Sequence, residues 1–313
     1  MTTAFVFPGQ GSQAVGMGRA LAEAFASARL VFAEVDDALG QRLSRLMFEG
    51  PEADLTLTEN AQPALMAVSL AVLRVLEGEG GWKLSTKAGF VAGHSLGEYS
   101  ALAAAGALSL ADTARLLKRR GRAMQRAVPV GEGAMAALLG LDLPAAQEVA
   151  AAASEGEICA CANDNAPGQV VVSGAKAAVE RAIKLAGEKG ARRSILLPVS
   201  APFHCQLMAP AAREMEDALA QVTLAPPVVP LVANVTATPV SDPETIRRLL
   251  VEQVTGMVRW RESVLRLKAE GVSRLVELGA GKVLAGLAKR IDKDVEAAAV
   301  GQPTEVDVIL KTL

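Results

Sequence analysis

Histidine is almost missing from these 313 residues: there are two, so any chemistry that needs an imidazole must use one of them. Aromatic residues are scarce too, with two Trp, one Tyr and seven Phe. Together with a formal net charge of −2, this removes the basic, aromatic-studded face by which proteins grip nucleic acid. Cysteine is limited to Cys159, Cys161 and Cys205, too few and too uneven for a disulfide framework. The C-x-C lacks the paired spacing of a zinc site, so no metal is expected. No apolar run approaches the ~18–20 residues a bilayer span requires, and Met1-Thr2-Thr3 has no basic region of a signal peptide. A reducing, cytoplasmic setting is the resulting expectation. At 51% hydrophobic and 21% charged, the chain reads as globular, forming one large domain with an insertion, or two domains.

The stretch that stands out is Gly93-His94-Ser95-Leu96-Gly97. G-x-S-x-G is the pattern of a nucleophile elbow, a sharp strand-to-helix turn that exposes a serine. The apolar run from Ala88 to Ala92 predicts a buried strand before it, and Leu96 to Ala105 predicts a helix closed by Gly106. Ser95 then stands at a helix N-terminus, where N–H groups and the helix dipole favour developing negative charge. A Gly-flanked turn with an exposed serine gives the same pattern without chemistry.

Ahead of the elbow, Ala4 to Phe7 predicts a strand that runs into Pro8-Gly9-Gln10-Gly11-Ser12-Gln13. Its glycines fail G-x-G-x-x-G, since the third would fall on Ala14, and no P-loop Lys-Ser/Thr follows. The loop is either a structural turn or a means of presenting Gln10 at the C-terminal edge of the sheet, where sites of open α/β sheets gather. Helices are expected over 18–39, 43–48 and 60–76. Another over 109–128 carries Lys118, Arg119, Arg120, Arg122 and Arg126. Cations near a helix C-terminus are usually solvated dipole partners, but one turned inward beside the elbow would be suited to holding a carboxylate bidentately.

From about Gly131 the order becomes β-α-β-β-α-β: strands over 134–141, 158–162, 169–173 and 193–199, helices over 144–154 and 175–187, and turn residues over 163–168. That succession is the ferredoxin-like signature, here inserted in a larger α/β unit. Its second helix and tail carry Lys176, Arg181, Lys184, Lys189, Arg192 and Arg193 against Glu180 and Glu188, a local charge of +4. The cluster is a solvated face or a dock for an acidic partner. Next comes Phe203-His204. Adjacent side chains diverge on a tight elbow, which disfavours His94, so His204 is by elimination the candidate general base for Ser95. The remaining chain predicts a helix over 208–222, a strand over 228–234, helices from Asp242 and Trp260, a strand over 275–278 and a helix over 282–290.

Several motifs then align in order and spacing. Phe7-Pro8-Gly9-Gln10-Gly11-Ser12-Gln13, Gly93-His94-Ser95-Leu96-Gly97-Glu98-Tyr99 and Arg120 resemble the malonyl-CoA:acyl carrier protein transacylases, the acyltransferase family of fatty acid and polyketide synthesis. So do Asn165-Ala166-Pro167-Gly168-Gln169, Phe203-His204, Val251-Glu252-Gln253 and Glu277-Leu278-Gly279. The resemblance spans residues 3 to 300. It implies an α/β-hydrolase-like core with a parallel sheet, over 1–127 and 199–313, and a ferredoxin-like subdomain over 128–198.

By position, the resemblance implies that Ser95 is acylated by malonyl-CoA with His204 as base, its tautomer fixed by the backbone carbonyl of Gln253. The oxyanion hole would be the N–H groups of Gln10 and Leu96. Arg120 would pair with the malonyl carboxylate and Phe203 would crowd an α-methyl branch, so Arg120, Phe203 and Gln253 form the implied substrate-binding set. The implied reaction is ping-pong transfer to the phosphopantetheine thiol of acyl carrier protein by a monomer that needs no cofactor. Two basic clusters, 175–193 and Lys282, Lys289, Arg290 and Lys293, are candidate docks for that acidic partner. A plain serine esterase shares the elbow but commonly has an acidic third member and no need of Arg120. A polyketide or malonate-decarboxylase transferase would share every motif. A scaffold would be expected to have lost Ser95 or His204.

Overall fold

The computed structural model describes residues 2–313. In chain order the strands among them are β1 (Thr2–Phe7), β2 (Ala88–Gly93), β3 (Gly133–Leu139), β4 (Cys159–Ala166), β5 (Gln169–Ala175), β6 (Arg193–Leu196), β7 (Leu231–Val232), β8 (Pro239–Val240), β9 (Val272–Leu278) and β10 (Glu296–Val300). They form two sheets, one of six strands in the order β10-β9-β1-β2-β7-β8 and one of four in the order β4-β5-β3-β6. The larger sheet is parallel except for β8, which runs antiparallel to β7. Central β1 has five consecutive buried residues, Thr3 to Phe7, as expected of a parallel strand covered on both faces.

The smaller sheet is wholly antiparallel, and its period-2 alternation shows how it is mounted. Ala134, Ala136 and Leu138 pack with residues of the helices Leu143–Ser154 and Lys176–Glu188. Met135 and Ala137, pointing the other way, join the main core with Phe203 and Met208. The small sheet therefore lies between its own two helices and the larger unit. Its inner face looks onto the elbow.

The helix Thr58–Gly80 runs through the main core, its long apolar surface covered by the helices Ala26–Leu39, Leu96–Ala104 and Leu110–Ala127. At 23 residues it is, among the described residues, the one helix long and apolar enough to cross a bilayer, with 83% of its most apolar window buried in the fold. That corrects the expectation drawn from contiguous apolar runs.

Other differences have local causes. The helix expected over 18–39 is two, Arg19–Ala24 and Ala26–Leu39, because Phe25 is extended (φ −126°, ψ 127°). The turn expected over 163–168 shrinks to Pro167-Gly168, with Asn163 to Ala166 continuing β4 past two register shifts. Asn163 and Asp164 are held there by backbone bonding to Val258, a partner outside the sheet. The strand expected over 193–199 stops at Leu196, and only Leu231–Val232 of 228–234 pairs. The terminal pair β10 and Pro303–Leu310 was not expected at all, since alanine, a weak strand former, makes up the middle of its strand.

Candidate active site

The elbow forms as its sequence requires. Ser95 links the end of β2 to the helix Leu96–Ala104 with φ 54° and ψ −110°, a conformation that costs on the order of 1–3 kcal/mol for a residue with a side chain. Both glycines are needed for close approach. A Cβ on Gly93 would run into the Gly97 carbonyl, and one on Gly97 into the Phe7 carbonyl at the end of β1. Asn234 clamps the turn from outside: its Oδ1 accepts the Ser95 N–H at 2.8 Å, and its Nδ2 donates to the Gly93 carbonyl at 2.6 Å.

His204 meets the serine. Its Nε2 lies 2.8 Å from Ser95 Oγ, and its own φ is 58°, another of the four positive values among the described non-glycine residues. On the far side, Nδ1 lies 2.9 Å from the Gln253 carbonyl and 3.1 Å from that of Gly256. Carbonyls only accept, so Nδ1 carries the proton and Nε2 is the free acceptor. Burial pushes the imidazole down to about 3, Arg120 adding to the effect and the bonds to Gln253 and Gly256 opposing it. Burial therefore favours the neutral imidazole, the form that a general base requires.

Arg120, on the helix Leu110–Ala127 that Ser109 caps by accepting the Asp112 N–H at 3.0 Å, is the inward-facing cation. It is 1% exposed. Its Nη1 donates to Gln62 Oε1 at 2.8 Å, and its Nη2 to Gln253 Oε1 at 2.8 Å and Ser95 Oγ at 3.1 Å. Every one of these acceptors is neutral, and Nε has no partner. Of the neighbouring cations, Arg119 and Arg126 pair with Glu214 and Arg122 with Glu59 at the surface. Lys118 departs from a solvated face: it is mostly buried and donates to Gln41 and Asn60.

A cavity of about 560 Å³ opens onto Ser95, with Gln10, Arg120, Phe203 and His204 in its wall. The N–H groups of Gln10 and Leu96 have no acceptor among the described residues, which leaves them free for an oxyanion. His94 also borders the cavity, but its Nε2 turns to Asn165 Oδ1 at 2.9 Å on β4 and its ring lies 5.9 Å from that of Trp260. Gln253 is not in the wall. It stands behind Arg120 and His204 and holds both, which differs from its placement with the substrate-binding residues.

Three participants went unread in the sequence. Asn234 had a signal, the C-terminal edge of an expected strand. Gln62 had none, being one polar residue inside a long core helix. Glu98 followed the elbow but carried no assigned part.

The fold and site together define a serine–histidine acyl-transfer enzyme of the α/β class. The chain belongs to the acyl transferase domain family, which matches residues 4–302. It is 46% identical over 311 residues to the malonyl CoA-acyl carrier protein transacylase of Bacillus subtilis strain 168, covering 99% of this chain and 96% of the relative. The crystal structure of acyl-carrier-protein-S-malonyltransferase from Bartonella henselae superimposes with a TM-score of 0.97 at 58% identity, covering 100% and 99% of the two chains. A malonyl-transacylase solved in complex with its type II PKS acyl-carrier protein gives a TM-score of 0.96 at 42% identity, each chain fully covered.

Proposed function

We propose that this chain transfers the malonyl group of malonyl-CoA to the phosphopantetheine thiol of an acyl carrier protein, supplying fatty acid synthesis. The observation that carries the reading is one oxygen with two partners: Ser95 Oγ sits 2.8 Å from the His204 base and 3.1 Å from the Arg120 guanidinium. A cation beside a nucleophile suits an acyl group that is itself an anion. The names of close relatives over the full length point the same way.

Ser95 Oγ attacks the thioester carbonyl carbon as its proton passes to His204 Nε2. The resulting oxyanion takes the N–H groups of Gln10 and Leu96, each such donor being worth about 3–4 kcal/mol in related chemistry. Collapse breaks the C–S bond, and the imidazolium returns its proton to the departing CoA sulfur. The carrier thiol then gives its proton to His204 and attacks the ester carbonyl, and collapse restores the serine hydroxyl. Carbonyls in place of a carboxylate behind His204 keep a second anion away from the malonyl group. Neutral acyl chains would leave Arg120 buried without a charge partner, so they should react poorly. Both thioesters are substrates, and the cycle needs no cofactor.

The same reading extends to architecture. Residues 128–198 form a ferredoxin-like insertion, supported by the strand order β4-β5-β3-β6 with both helices on one face. Residues 1–127 and 199–313 form an α/β-hydrolase-like core, supported by the elbow after β2.

Intact-protein mass spectrometry after incubation with malonyl-CoA tests the proposal. Wild type should gain one malonyl group and lose it to added carrier protein faster than to water, and Ser95→Ala should gain none. An adduct on the Ser95→Ala chain, or loss to water that ignores carrier protein, would defeat it.

A further inference from the structure

The side chain of Glu98 takes no part in the steps above, yet it lies at the centre of the groups that do. It is the third residue of the helix after Ser95 and is 1% exposed. A glutamate at that position ordinarily reaches back to the cap residue's N–H, but here Asn234 Oδ1 takes that bond. Glu98 turns inward instead. Its Oε2 accepts the Gln253 side-chain N–H at 2.6 Å, and its Oε1 faces the Asn234 backbone N–H at 3.4 Å.

Gln253 carries the consequence. Its Nε2 also donates to the Ser95 carbonyl at 3.0 Å, its Oε1 accepts from Arg120, and its backbone carbonyl holds His204. An amide has two orientations. Turned over, Gln253 would aim N–H at the guanidinium and an oxygen at both the Ser95 carbonyl and the Glu98 carboxylate, three repulsive contacts in place of three bonds. A carboxylate, which only accepts, permits one orientation.

We infer, building on the malonyl-transfer reading, that Glu98 is a positioning residue: its carboxylate fixes the Gln253 amide so that Oε1 holds the Arg120 fork where the substrate carboxylate must land. When ionised, it is also the buried counter-charge one amide away from Arg120, close enough to balance the cation without occupying the fork. The fork stays open for substrate.

Two variants test this. Glu98→Gln keeps the shape but offers one acceptor where two donors point. Gln253→Met removes the amide and keeps the carbonyl that orients His204. Initial rates of Ser95 acylation are measured with malonyl-CoA and with acetyl-CoA. Each variant should lower kcat/KM for malonyl-CoA at least tenfold more than it lowers that for acetyl-CoA, and the double variant should lose no more than Gln253→Met alone. A role confined to folding would lower both thioesters together. Equal loss on both, malonyl preference kept within twofold by either variant, or additive losses in the double variant would overturn the inference. Should Glu98→Gln fail to fold, Gln253→Met still decides. A wild type that forms no malonyl adduct would instead defeat the proposed function.

Discussion

Arg120 shows how a residue's surroundings specify its ligand. Its burial pulls the guanidinium below its ordinary range, with Tyr99 and Glu98 opposing, and its acceptors are all neutral. A charged hydrogen bond is worth about 1.5–3 kcal/mol, so Arg120→Ala should cost malonyl-CoA ten- to a hundredfold in kcat/KM and leave acetyl-CoA level or faster. Competition between the two thioesters for Ser95 measures that ratio. Glu98 adds a pH signature. Burial pushes its carboxyl up to about 7, against the bonds from Gln253 and Asn234 and the pull of Arg120. The folded chain then holds a proton that the unfolded chain has released between about 4.5 and 7, so this group adds stability as pH falls through that window and costs stability above it. Relative to Glu98→Gln, wild type should therefore lose stability as pH rises from 4.5 to 8, by on the order of 3 kcal/mol. Denaturant midpoints across that range check it, and a difference that does not change with pH would contradict it. Ser95 and His204 were legible because a turn motif and the shortage of histidine point to them. Glu98 was not, because a glutamate at a helix start looks the same whether it caps the helix or faces inward.

At the scale of elements, the site depends on two helices packed nearly backbone to backbone. Gly121 follows Arg120, and a Cβ there would come within 2.6 Å of the Thr58 carbonyl and the Glu59 backbone at the start of the helix that carries Gln62. Gly121→Ala must spread the helices whose side chains share the guanidinium. Overpacking of this kind costs about 1–3 kcal/mol, and the displaced fork should lose malonyl preference as well. Thermal unfolding and the two-thioester competition measure the two effects, and a variant that loses stability but keeps its preference would separate packing from positioning. Helix periodicity and the buried run before Ser95 made the principal elements readable from sequence. Composition misleads elsewhere: Asn163 to Ala166 look like turn residues but pair with β5, and Val258 adds a bridge to the same stretch from outside the sheet. The two residues of β7 depend on β2 for their pairing.

For the molecule as a whole, the question is where an acidic carrier protein would approach. The +4 cluster is partly neutralised within the fold, with Arg181 paired to Glu155 and Glu157 and Lys189 to Glu148. Its helix also covers the outer face of the small sheet, whereas the cavity lies on the inner side, bordered by Met135. The second cluster begins nearer the site, at Lys282, and its helix runs back towards the opposite edge of the larger sheet, where Lys293 precedes β10. The helix Val283–Ile291 packs against β4, and the turn before it reaches Ser12 beside the cavity-lining residues Gln10 and Gln13. Lys282 there is paired with Glu305 and Arg290 bonds to Gln169, while Lys289 and Lys293 are exposed and have no carboxylate partner among the described residues. Exposed cations without a partner steer an acidic partner from a distance, and added salt weakens the effect. The pair Lys289→Glu and Lys293→Glu should therefore raise KM for carrier protein about five- to tenfold at low salt. Lys176→Glu with Lys184→Glu should change it less than twofold. Both pairs should leave acylation of Ser95 by malonyl-CoA intact, because that half-reaction takes place before the carrier protein arrives. If the 176/184 pair has the larger effect, the carrier protein approaches over the outer face of the small sheet and its arm must pass around that sheet to reach Ser95.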